Sequence, residues 1–134
     1  MKIKMYLMAT ILVSSGALAA TDHYLLQDGS HVQHLKINTV GDETMVTVDV
    51  DFEPNASEIG EHACSATISG EASAVADNQW LLRRRADGEA HYCNLAIELT
   101  DNGATIEQSE DCSYFVTGIC HFSSDDGKEF VKIE

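Results

Sequence analysis

Met45-Val46-Thr47-Val48-Asp49-Val50-Asp51-Phe52-Glu53 alternates from end to end. Val46, Val48, Val50 and Phe52 fall on one side. Thr47, Asp49, Asp51 and Glu53 fall on the other. A repeat of two is the period of a β-strand, whose side chains point to opposite faces in turn. One face is apolar and the other acidic, which is the pattern of an antiparallel strand with one buried side and one wet side.

The same reading extends along the chain. Ala63 to Ser69 alternates more weakly. Trp80 to Arg85 sets Trp80, Leu82 and Arg84 against Leu81, Arg83 and Arg85. His91 to Leu99 turns His91, Cys93, Leu95, Ile97 and Leu99 inward. Ser113 to Phe122 aligns Tyr114, Val116, Gly118, Cys120 and Phe122. Shorter strands are expected at Tyr24 to Gln27, Val32 to Asn38, Ala72 to Val75, Ala104 to Gln108 and Glu129 to Ile133. Between them stand Asp28-Gly29, Gly41-Asp42, Asp77-Asn78, Asp87-Gly88, Asn102-Gly103 and Asp126-Gly127. Such pairs supply the positive-φ residues of tight hairpins. The chain carries no helical run of useful length beyond a turn at Asn55 to Ile59. The fold class is therefore all-β, an antiparallel sandwich or a small barrel.

The first residues have another purpose. Lys2 and Lys4 precede the apolar run Met5 to Val13, and Ala17-Leu18-Ala19 is an A-x-A cleavage site. This is the layout of a secretory signal; the run is too short for a bilayer span of about 20 residues. Residues 1–19 are read as signal peptide and 20–134 as one β domain. The whole chain has 8 basic and 22 acidic residues, a formal charge of −14. Loss of Lys2 and Lys4 takes it to −16. Such a domain predicts no nucleic-acid partner, because phosphate binding needs a basic stripe. It predicts no anionic membrane surface either.

Export sets the meaning of the cysteines. Cys64, Cys93, Cys112 and Cys120 form an even set in an oxidising compartment, which predicts two disulfides. Cys64–Cys93 with Cys112–Cys120 is the favoured pairing: the second closes a short hairpin-like loop and the first would join neighbouring strands. Cys64–Cys120 with Cys93–Cys112 is the alternative. The spacings do not suit zinc.

No constellation for chemistry emerges. There is no nucleophile elbow, no phosphate-cradling glycine loop and no calcium loop. The histidines His23, His31, His34, His62, His91 and His121 yield no set of three or four ligands. His31 and His34, three apart, fall on opposite faces of a strand. The expectation is a protein without catalytic activity, metal or cofactor. Arg83-Arg84-Arg85 reads as internal ion pairing. Asn55-Ala56-Ser57 is a formal glycosylation acceptor, read as an unmodified loop. Asp49, Asp51 and Glu53 make an acidic stripe, read either as a solvated face kept soluble by charge or as a surface complementary to a basic protein.

Asn55-Ala56-Ser57-Glu58-Ile59-Gly60-Glu61-His62-Ala63-Cys64, Ser69-Gly70-Glu71-Ala72, Cys93-Asn94-Leu95, Cys112, Tyr114, Cys120 and Phe122 together resemble small exported bacterial β-proteins with two disulfides. In those proteins a Gly commonly follows the last Cys, where this chain has His121. The whole chain resembles the periplasmic immunity proteins of type VI secretion systems, which neutralise a lysozyme-like peptidoglycan-hydrolase domain. The resemblance implies a periplasmic inhibitor that occludes the active-site cleft of a muramidase effector, and pairing into homodimers. Contact residues are expected on the acidic stripe and on two loops. They are Asp49, Asp51, Glu53, Glu58, Glu61 and His62, then Ser123, Ser124, Asp125, Asp126 and Lys128. The other readings are a small-ligand-binding barrel and a structural envelope protein.

Overall fold

The computed structural model describes residues 19–85, 88, 90–125 and 127–134. The expected signal segment, apart from Ala19, lies outside the described residues, as does Asp126. Eight strands follow one another: β1 Ala19–Asp28, β2 His31–Val40, β3 Glu43–Phe52, β4 Cys64–Ala76, β5 Gln79–Arg85, β6 Tyr92–Leu99, β7 Gly103–Gln108 and β8 Phe130–Lys132. Each pairs antiparallel with the next, and β8 closes on β1. Between sandwich and barrel, the chain takes the closed barrel, which leaves no sheet edge running its full length. Among the described residues no helix is long and apolar enough to cross a membrane.

β3 is the most regular wall. Val46, Val48, Val50 and Phe52 all point inward and are buried. They meet Leu35 and Ile37 of β2, Ile68 of β4, Leu82 of β5, Leu95 and Ile97 of β6, Ile106 of β7 and Phe130 of β8. Each such side chain contributes roughly 1.5–3 kcal/mol on full burial, so the interior is a packed core. Hairpin turns fall where expected after β1, β2 and β4. Gly29, Gly41 and Asn78 take the left-handed conformation there. Gly103 is needed for a different reason: a Cβ on it would collide with the Phe130 carbonyl oxygen where β7 meets β8.

Three expectations are corrected. Ala63 to Ser69 and Ala72 to Val75 are parts of one strand, β4. Gly70 lies within it, and the missing side chain makes room for the Leu82 methyl. Ser113 to Phe122 is not a strand. Glu110–Tyr114 is a 3₁₀ helix, followed by turns through Gly118 at φ 58°. Phe115, Val116 and Ile119 pack on the core, whereas Tyr114 is half exposed, so the alternation read there does not describe the burial. Hydrogen bonds from the Cys112, Phe115 and Cys120 amides to carbonyls three residues back hold the segment in turns.

The favoured disulfide pairing is also overturned. The bridges are Cys64–Cys120 and Cys93–Cys112. Cys64 begins β4 and Cys93 lies on β6, with β5 between them, so they are not on neighbouring strands. Cys93 faces into the core and meets Cys112 of the 3₁₀ helix, with 4.2 Å between their Cα atoms. Two disulfides fit an oxidising environment.

Candidate functional site: the capped end of the barrel

The ends of β1, β3, β5 and β7 and the starts of β2, β4, β6 and β8 share one end of the barrel. Residues 109–125 and 127–129 run across it as a cap. Phe122 is the plug: it is fully buried among the core side chains. Two glutamines hold it there. The Gln33 amide donates to the carbonyls of His121 and Ser123, at 2.9 and 3.1 Å. The Gln108 side-chain oxygen accepts from the amides of Phe122 and Ser123, at 2.8 and 3.2 Å. Gln33 occupies an inward position in β2, in register with Leu35 and Ile37, and is buried. An amide in such a place needs partners, and the cap's backbone supplies them.

The loop after β3 is fastened to the same end. Asn55 Oδ1 accepts from the Ser30 amide at 2.8 Å, and the Asn55 side-chain amide donates to the Asp28 carbonyl at 3.4 Å. Glu58 Oε1 accepts from the Asn55 amide and meets His31 Nε2 at 2.7 Å. The Asn55 amide, then the His31 ring, hold the Glu58 carboxyl below its usual range. His31 stacks flat on Phe52, ring centroids 4.2 Å apart, and Phe52 presents its ring edge-on to His121 at 5.0 Å. Lys128 pairs with Asp28 at 2.6 Å and lowers that carboxyl's pKa.

The two loops singled out from sequence are therefore fastened to the same end. Glu58 bonds to His31, His121 packs edge-on against Phe52, Asp125 pairs with His121, and Lys128 pairs with Asp28. Asp51, Glu53, Glu61 and His62 are exposed beside them. Asp49 stands further down the outer wall of β3, where its carboxylate accepts from Thr67 at 2.6 Å. Some of the expected contact groups are engaged within the chain. The Ser124 hydroxyl accepts from the Ile106 amide and donates to its carbonyl. His31, Gln33, Phe52 and Gln108 complete the end and were not singled out as site residues. Gln33 carries a signal: it is polar in a register that is otherwise apolar.

Ser123, His121 and Asp125 superficially suggest a catalytic relay. Ser123 Oγ lies 3.4 Å from His121 Nδ1, and His121 Nε2 lies 3.4 Å from Asp125. Yet Nδ1 is 2.7 Å from the Ser123 carbonyl, a bond in which the ring must donate. A nitrogen that donates there cannot take the hydroxyl proton. Elsewhere His23 and His34 pair ring to ring at 2.8 Å on the outer wall, and His91 stacks on Tyr114. Among the described residues no group of three or more side chains could hold a metal. Arg83 lies over the Tyr92 ring at 4.0 Å, a cation–π contact where ion pairing was expected.

Comparison with protein-family models, curated proteins and solved structures finds no match for this chain.

Proposed function

We propose that this chain is an exported periplasmic inhibitor, of the immunity type, that docks its capped barrel end over the active-site cleft of a lysozyme-like muramidase. The observation that carries the reading is that two loops distant in the chain are fastened to one acidic end, held by Cys64–Cys120, by Glu58 on His31 and by Lys128 on Asp28. A surface held in this way loses little conformational freedom on binding. The excess of 22 acidic over 8 basic residues suits a basic target and would speed encounter at low salt. Asp51, Glu53, Glu61 and Asp125 are the proposed contact carboxylates, with His62 as a donor. Inhibition on this reading is steric and electrostatic and involves no bond chemistry. The interior is filled by Phe52, Phe122, Phe130 and Leu35, which weighs against a small-ligand barrel.

The test uses the disulfide-bonded protein and the peptidoglycan hydrolases encoded beside its gene. A stoichiometric block of turbidity loss is expected with one of them, relieved when Glu53, Glu61 and Asp125 are changed to Lys. Undiminished hydrolysis and no complex with any of them would sink the reading.

A further inference from the structure

The outer wall of the barrel carries a second feature, away from the capped end. A groove of about 260 Å³ opens on the outer face of β5, β6 and β7. Its walls include Val75, Trp80, Leu81 and Ala96, and its rim bears Glu98 and Glu107. Val75 is 59% exposed, large for an apolar side chain in a strand. It sits at the irregularity in β4 between Ala74 and Ala76, which breaks the register with β5.

The two carboxylates sit in a telling relation. Glu98 pairs with Thr105 across the β6–β7 ladder, and Ala96 pairs with Glu107. Glu98 and Glu107 are thus diagonal neighbours on one face, roughly 7–8 Å apart at Cα, within reach of a single group between them. Neither has an ion-pair partner among the described residues. Arg83 is the next outward residue of β5 beyond Leu81, but it lies over Tyr92 instead. Like charges at neighbouring sheet positions repel, and a cation between them would turn that repulsion into attraction.

An apolar trough ending in two uncompensated carboxylates matches one kind of group. Lysine and arginine have an apolar stem and a cationic head, and they bury the one while the other stays polar. We propose that this groove takes a lysine or arginine side chain of a basic protein partner, the stem along Leu81, Ala96 and Val75 and the head between Glu98 and Glu107. Thr105 and Glu107 also line a polar groove of about 380 Å³ that runs to Ser124 and Lys128 of the cap. A partner seated on the barrel end can therefore reach this site along β7. The inference goes beyond the muramidase reading and stands without it, because it concerns the class of side chain and not the partner's activity.

The test is an amide chemical-shift titration of the disulfide-bonded protein with N-acetyl-arginine amide and N-acetyl-lysine amide. N-acetyl-norleucine amide, which has the stem without the charge, is the control. Saturable shifts at Leu81, Ala96, Glu98, Thr105 and Glu107 are expected with the cationic probes. Binding should be about fivefold weaker in the variant carrying Glu98→Gln and Glu107→Gln, the scale of two exposed charge contacts. That variant should unfold at the same temperature or higher, since it loses only repulsion. No shifts at these residues, equal shifts with norleucine amide, or unchanged binding by the double variant would overturn the proposal. None of these outcomes bears on hydrolase inhibition, which is read separately.

Discussion

The two halves of the barrel wall are built differently. β1 to β3 have 10 residues each and β4 has 13. β1 pairs with β2, and β2 with β3, over their whole lengths. β5 to β8 have 7, 8, 6 and 3 residues. β8 meets β7 and β1 through two register pairs each. In the first half, ladder and alternating burial suffice. In the second, β5 still pairs with β6 over its whole length, and the short ladders of β7 and β8 are supplemented by the cap: two disulfides, Gln33 and Gln108 on its backbone, Ser124 on β7 and Phe122 in the core. Short strands can close a barrel when cross-links and side-chain bonds supply what the ladder lacks.

The largest way to break this contrast is Phe122→Ala. Removing a fully buried plug should cost roughly 3–5 kcal/mol. Denaturant unfolding measures the loss, and hydrogen exchange should rise first in residues 109–129 and β8. If β1 to β4 loosen equally, the halves are one cooperative unit and the contrast fails. Next comes Cys93→Ala with Cys112→Ala. Opening this loop should cost about 3 kcal/mol by loop-closure entropy, seen as a lower denaturation midpoint, with the β1–β2 ladder last to exchange.

Acidification gives the smallest effect and separates the capped end from the outer wall by pH. Glu58 and Asp28 have carboxyls held below their usual range in the folded chain. Their contribution is therefore complete above the ordinary carboxylate value of about 4 and is lost as pH falls through the lowered folded values. His34, on the wall, is lowered by burial and by His23. Its contribution is complete above about pH 6.5 and is lost as pH falls through its own lowered value. Histidine and carboxylate resonances followed by NMR should show the His23–His34 contact yielding first and the residue 53–62 loop yielding near and below pH 4. The reverse order would contradict the assignment.

The same contrast explains what could be read in advance. Val46 to Phe52 announces its face because every second residue is apolar, and a strand paired along its length buries all of them alike. Residues 113–122 also alternate, but a segment of turns obeys no period, so Tyr114 lies outside while Phe115 and Val116 lie against the core. Glu58, Asp125 and Lys128 were legible as loop residues with polar groups, whereas His121 stood in a segment read as a strand. His31 and Phe52 were legible only as strand positions, because nothing local says that a strand end will become a platform between two loops.

The amino-acid order alone determined an all-β chain, its strongest strands, its first hairpin turns, its acidity and the need for two disulfides. These depend on local periods, on turn chemistry and on composition. The tertiary structure decided that the sheet closes, which cysteines pair, and that two loops far apart in the chain share one end. Those outcomes depend on which strands become neighbours, a relation between distant residues set by the packing of the whole core.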